Sequence, residues 1–388
     1  MRIAACMNRL GTESAFEVLA RAVRLQAEGR SIINLGIGQP DFPTPPHIVD
    51  AAVKALKDGH HGYTPANGIL KLREAVAADM YQRRGVEVDP DRILIVPGGK
   101  VTMFFAIQMF GEPGAEIMYP DPGFPIYRSV IEFTGAKAVP IPLLEEKGFS
   151  FSAEDVLSRI TPNTRLIIVN SPANPTGGVV PQEELDRLVD GLRAHPEVAI
   201  LSDEIYARMV YDGVPHASLT GYPEIQDRLI LLDGWSKTYA MTGWRMGWGV
   251  WPKSLIDLAT RFAINVHSCV NASAQYAGIA ALEGPQDSVD MMMAAFAKRR
   301  GVIVDRLNRL PGFSCVNPGG AFYAFPNITG TGKSSRTLQD EILNQAGVAL
   351  ISGTSFGIHG EGYLRFSYAA SVEAIEEACD RIDRYLRG

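Results

Sequence analysis

The sequence predicts an α/β fold in two parts: a large domain with a mostly parallel central sheet covered by helices, and a smaller α/β domain. Three observations carry this. Short runs that are apolar throughout alternate with amphipathic helical patterns, the two ends of the chain read differently from its middle, and 388 residues with 46% hydrophobic and 21% charged are enough for a large buried core.

The runs are "RILIV" (92–96), "AEIMY" (115–119), "AKAVPI" (136–141), "RLIIV" (165–169), "VAILS" (198–202), "RLILL" (228–232) and "MGWGVW" (246–251). Strands without an alternating polar face are covered on both sides, which is the habit of parallel sheets with helical crossovers. "PQEELDRLVDGLRAH" is one such crossover, its Leu185, Leu188, Val189 and Leu192 recurring at helical spacing. At the ends, residues 14–29 read as a helix followed by the turn "PDFPTPP", and residues 291–388 mix helix with strands such as "YLRFSYA". The expected division is therefore 46–290 for the large domain, and 1–45 with 291–388 for the small one.

Charge narrows the function. Lys plus Arg number 37 against 43 Asp plus Glu, a net charge of -6 with no block of one sign, which disfavours a nucleic-acid surface. Cys6, Cys269, Cys315 and Cys379 lack CxxC spacing, so the expectation is reduced thiols in the cytoplasm rather than a zinc site or a disulfide framework. The start lacks a signal peptide's apolar core, and no run approaches the ~20 residues needed to span a membrane.

Ligands of parallel α/β sheets bind beyond the carboxyl ends of the strands. After "RILIV" comes Pro97-Gly98-Gly99-Lys100 opening a helix, after "RLIIV" comes "NSPANPTGG", after "VAILS" comes "DEIY", and after "RLILL" comes "DGWSK". Free N–H groups at a glycine-rich helix start suit a phosphate. "LGIGQP" begins like a dinucleotide fingerprint, but Pro40 and the turn after it replace the helix that motif requires. Asp203-Glu204 has no histidine or further acid at ligand spacing, so no metal is expected, and His60-His61 reads as a solvated turn. Lys237 and Arg245 stand in the apolar stretch "GWSKTYAMTGWRMGW" (234–248), where an unpaired cation is costly.

Taken together, "NPTG" (174–177), "DEIY" (203–206), "SKTYAMTGWRMGW" (236–248) and "LRFSYA" (364–369) resemble the class I and II aminotransferases of the pyridoxal-phosphate fold type I superfamily. The likeness takes in "GQPDFPTP" (38–45), "GYTPANGILKLREAV" (62–76) and "PDPGFPIY" (120–127), and is greatest to the aspartate and aromatic aminotransferase branch.

The resemblance implies pyridoxal 5'-phosphate as cofactor, with Lys237 forming the Schiff base and then moving the substrate proton. It implies Asp203 at the pyridine nitrogen, Tyr206 and Asn174 at the phenolic oxygen, and Phe124 on the ring face. Ser236, Arg245 and the backbone at Gly99 and Lys100 would hold the phosphate, with Tyr63 reaching it from the neighbouring subunit of a homodimer. Arg365 would grip the substrate α-carboxylate, beside Asn174, and Gly38 would lie close to the substrate. Trp235 reads as packing. For a distal carboxylate no motif singles out a cation; Arg261, Lys100 and Arg128 are the candidates. The implied reaction moves the amino group of an L-amino acid to a 2-oxo acid by a ping-pong mechanism, with an aspartate-type or broad aspartate/aromatic donor. Lyases and synthases, such as carbon-sulfur lyases, share the scaffold and form the alternative.

Overall fold

All seven apolar runs fold as strands of one sheet. A computed structural model describes the backbone of residues 1–388 and the side chains of all but Ser14. In chain order the strands are β1 (Ile33–Asn34), β2 (Ile93–Val96), β3 (Glu116–Asp121), β4 (Lys137–Pro142), β5 (Thr164–Asn170) and β6 (Ala199–Asp203). They continue with β7 (Leu229–Gly234), β8 (Gly247–Val250), β9 (Tyr323–Ala324), β10 (Val348–Ala349), β11 (Ile351–Ser352) and β12 (Leu364–Ser367).

The central sheet has the order β2-β8-β7-β6-β5-β3-β4, and only β8 runs against its neighbours. The reason is local. Between β7 and β8 the chain forms only a short 3-10 turn, Thr242–Trp244, rather than a crossover helix, so it returns antiparallel. That connection is the stretch carrying Lys237 and Arg245.

Alternate residues feed opposite cores, as a period of two requires. Along β6, Ile200 packs with Met118, Ile167 and Val169, whereas Leu201 joins Leu94, Ile117 and Leu166. The edge strand β4 is the least enclosed, with Lys137 exposed at its start. The helix Gln182–Leu192 buries the four apolar residues expected of it. Trp235 is fully buried and its indole N–H donates to the Gly278 carbonyl at 3.0 Å, so it does pack.

The chain ends meet each other. β1 pairs in parallel with β10, and β11-β12-β9 form an antiparallel sheet. Leu35, Phe322, Val348, Leu364, Phe366 and Ile382 share one core there. The helix Asp287–Leu307 runs unbroken through residue 290, the expected domain boundary. Among the described residues no helix is long and apolar enough to cross a membrane, and all four cysteines are free.

Candidate active site

Residues at or just beyond the carboxyl ends of β2, β3, β5, β6 and β7 line a cavity of about 510 Å³. Gly99, Lys100, Phe124, Asn174, Asp203, Tyr206, Ser236, Lys237, Arg245, Gly38 and Arg365 all line it. Tyr63 does not: it is 92% exposed, ahead of the helix Leu70–Arg84.

Lys237 is partly buried against the N-terminal segment, and its Nζ donates to the Gly38 carbonyl at 2.6 Å. Burial first, then the nearby Arg365 and Arg245, lower its pKa from the ordinary lysine value to about 8. This setting delivers an amine that gives up its proton more readily than an ordinary lysine. Gly38 has no room for a side chain, because a Cβ there would run into the Tyr323 hydroxyl.

Asp203 is the last residue of β6. Burial raises its pKa to about 6, even though the Tyr127 hydroxyl donates to Oδ2 at 2.6 Å and the Ile205 N–H to Oδ1 at 3.3 Å. Its two donors are neutral, so a cationic partner in the cavity would relieve it.

Glu204, the very next residue, goes the other way. Burial alone would raise it, but Arg84 and His216 prevail and hold it at about 2. Ser202 donates to it at 2.8 Å, Ser218 at 2.9 Å, and its ion pair with Arg84 is buried. The same Arg84 binds Asp233 at 2.6 Å, so one guanidinium ties the end of β6 to the end of β7.

The opposite wall carries Arg365. Its Nη1 donates to Asn174 Oδ1 at 2.9 Å and its Nη2 to the Gly36 carbonyl at 2.5 Å. Two rings flank the guanidinium, Tyr323 at 4.7 Å and Phe356 at 4.8 Å, a favourable setting for a cation. Its Nε is buried without a partner. In "YLRFSY" strand alternation separates Arg365 from Leu364 and Phe366, which enter the core. Tyr206 and Tyr323 share a hydrogen bond of 2.8 Å between hydroxyls.

Arg245 adopts φ +53° and donates to the Thr242 carbonyl at 2.8 Å. It lies against Gly98, where φ is +89° and a Cβ would overlap the guanidinium. The positive φ is what favours glycine there. The helix Lys100–Phe110 begins beside it, with Gly99 as its cap. Phe124 meets Tyr127 edge-on at 5.7 Å.

Of the three candidate distal cations, only Lys100 lines the cavity. Arg128 pairs with Glu132 at 2.6 Å outside it, and Arg261 is exposed on the helix Ile256–His267. Sequence reasoning missed Tyr127, Tyr323, Arg84 and Glu13. Tyr127 closes the motif "PDPGFPIY", three positions beyond Phe124, so helical spacing from that aromatic was an available signal. Arg84 had none, lying 120 residues from its partner Glu204.

This donor set suits pyridoxal phosphate: an amine of lowered pKa, a buried carboxylate short of a cation, and a glycine turn at a helix start beside an arginine. Comparison with known proteins agrees. The family model for aminotransferase class I and II matches residues 30–382. An aspartate aminotransferase of Geobacillus stearothermophilus is 37% identical, over 100% of this chain and 99% of its own. Aromatic-amino-acid aminotransferase 2 of Thermococcus litoralis is 39% identical over 92% of each chain. The solved aspartate aminotransferase of Rhizobium meliloti superposes with a TM-score of 0.95 at 32% identity, over 100% of this chain and 99% of that one.

This chain belongs to the class I and II aminotransferases. The aminotransferase has the pyridoxal-phosphate fold type I, and its cofactor is pyridoxal 5'-phosphate. It is a transaminase; the lyase alternative on the same scaffold is not favoured.

Proposed function

We propose that this aminotransferase transfers the amino group of L-amino acids in the aspartate/aromatic range to a 2-oxo acid by a ping-pong mechanism. The observation that carries this reading is the convergence of Lys237, Asp203 and Arg365 on one cavity. The donor range is supported by the names of its relatives, an aspartate and an aromatic-amino-acid aminotransferase.

Bound in the cavity, pyridoxal phosphate supplies the electron sink for the charge left when the donor loses its Cα proton. Lys237 anchors the cofactor, and once freed its Nζ takes that proton, a task suited to an amine with a pKa of about 8. Asp203 holds the proton on the ring nitrogen, with Tyr127 orienting the carboxylate. Tyr206 and Asn174 would hold the phenolic oxygen and Phe124 the ring face, all three lining the cavity. Arg245, Ser236 and the backbone of Gly99 and Lys100 hold the phosphate. Arg365 binds the donor α-carboxylate through a bidentate fork, and its flanking rings keep that fork in plane. Gly38 lets the N-terminal segment close over the donor and exclude water.

The functional unit in this reading is a cytoplasmic homodimer. Its support is the exposed Tyr63, which serves the partner's phosphate site, together with Val49, Val53 and Leu56 exposed on the preceding helix, Pro46–Lys57. Residues 46–290 act as the large domain and 1–45 with 291–388 as the small one, joined through the helix Asp287–Leu307.

The test is a spectral half-reaction screen, adding single amino acids to the cofactor-loaded protein with and without a 2-oxo acid. Stoichiometric conversion of the cofactor, reversed by the 2-oxo acid, is the expected result. Catalytic release of ammonia and a 2-oxo acid from the donor alone would replace this reading with a lyase.

A further inference from the structure

The roles above assign nothing to two charged side chains of the cavity, the Glu13 carboxylate and the Lys100 ammonium. Glu13 stands at the start of the helix Ser14–Ala27, and Lys100 at the start of the helix Lys100–Phe110. Their side chains meet at 2.5 Å, with Glu13 the more enclosed, 13% exposed against 44% for Lys100. Lys100 Nζ also lies 5.1 Å from the centre of the Phe124 ring. Ala15, Phe16, Leu19 and Met103, their neighbours along these two helices, also line the cavity.

Among the described residues four cations line the cavity: Lys100, Lys237, Arg245 and Arg365. On the proposed function, on which this inference rests, three are engaged by the cofactor and the donor α-carboxylate. Lys100 is the fourth, and Glu13 already neutralises it.

We infer that Glu13 is a specificity-determining residue: by pairing with Lys100 it turns the side-chain end of the site toward donors with large uncharged side chains, aromatic ones above all, and against dicarboxylic donors. A donor carboxylate entering here has to share Lys100 with Glu13, placing two anions about one cation. A cationic donor meets the mirror problem, since it must share Glu13 with Lys100. An aromatic side chain disturbs neither partner. It leaves water to pack against Leu19, Met103 and Phe16, which is 61% exposed and has area to cover, gaining area burial and a ring contact.

The test compares the holoenzyme with its Glu13→Gln variant. Half-reaction rates are measured with phenylalanine and with aspartate, and dissociation constants of the unreactive acids 3-phenylpropanoate and succinate are measured by calorimetry. Wild type should favour phenylalanine over aspartate by roughly tenfold or more, and Glu13→Gln should improve both aspartate turnover and succinate binding by about tenfold. Phenylpropanoate binding should change by less than about threefold. Adding Lys100→Met to Glu13→Gln should abolish the gain, because Lys100 is the group that was freed. A wild type that prefers aspartate, an unchanged aspartate-to-phenylalanine ratio in Glu13→Gln, or a gain surviving in the double variant each overturns the inference. Failure of every donor to convert the cofactor would instead sink the functional reading, and succinate binding would still decide the part played by Glu13.

Discussion

The two ends of the cavity are built differently. At the cofactor end the lining side chains sit on or just beyond strand ends and are cross-tied, Asp203 to Tyr127 and Lys237 to the Gly38 carbonyl, while next to the lining Arg84 ties Glu204 to Asp233. At the side-chain end two helix starts meet through one partly exposed ion pair amid apolar residues. Reaction chemistry requires groups held within fractions of an ångström, which sheet edges and buried ties provide. Discrimination among side chains tolerates exposure, and a residue there can change at little cost in stability. One scaffold can therefore keep its reaction while its donors vary.

The comparison can be broken at either end. Lys237→Ala should cost on the order of 10⁴-fold or more in turnover. Borohydride reduction of the loaded wild type should attach the cofactor to Lys237, and an adduct on another lysine would dismantle the cofactor end as described. Arg84→Met leaves two buried carboxylates facing each other and should destabilise the cofactor-free protein by about 3–5 kcal/mol in urea unfolding. Glu13→Gln, by contrast, should shift stability by less than about 1 kcal/mol. Equal effects from the two substitutions would erase the distinction between a rigid end and a permissive one.

The smallest effect is a matter of pH. Burial and the neighbouring arginines disfavour protonated Lys237, so its proton leaves at a lower pH than from an ordinary lysine. Capture of pyridoxal phosphate by the cofactor-free protein should accelerate as pH rises and level off above about 8. A rate still climbing toward the ordinary lysine value would mean that the amine is not held in that setting.

Much of this was legible in the chain. The seven sheet strands could be read because each is apolar on both faces, and the residues after them could be grouped because parallel strands bring their carboxyl ends to one edge. Arg365 was legible through strand alternation and its motif together. Tyr323 was not: "GGAFYAF" reads as one more aromatic strand, and only the packing of the chain ends brings its hydroxyl to Tyr206. Glu13 stood in an unremarked stretch before a helix, and its value depends on Lys100, 87 residues away.

By itself the sequence determined the layered architecture, because periodicity encodes what each element buries, while the cofactor class came from the resemblance of its motifs to a known family. Only the tertiary structure decided which charges neutralise one another. Asp203 and Glu204 are adjacent carboxylates, yet one rises to about 6 and the other is held at about 2. An ionisable group's energy depends on burial and on partners within a few ångströms, and the fold draws those partners from distant parts of the chain.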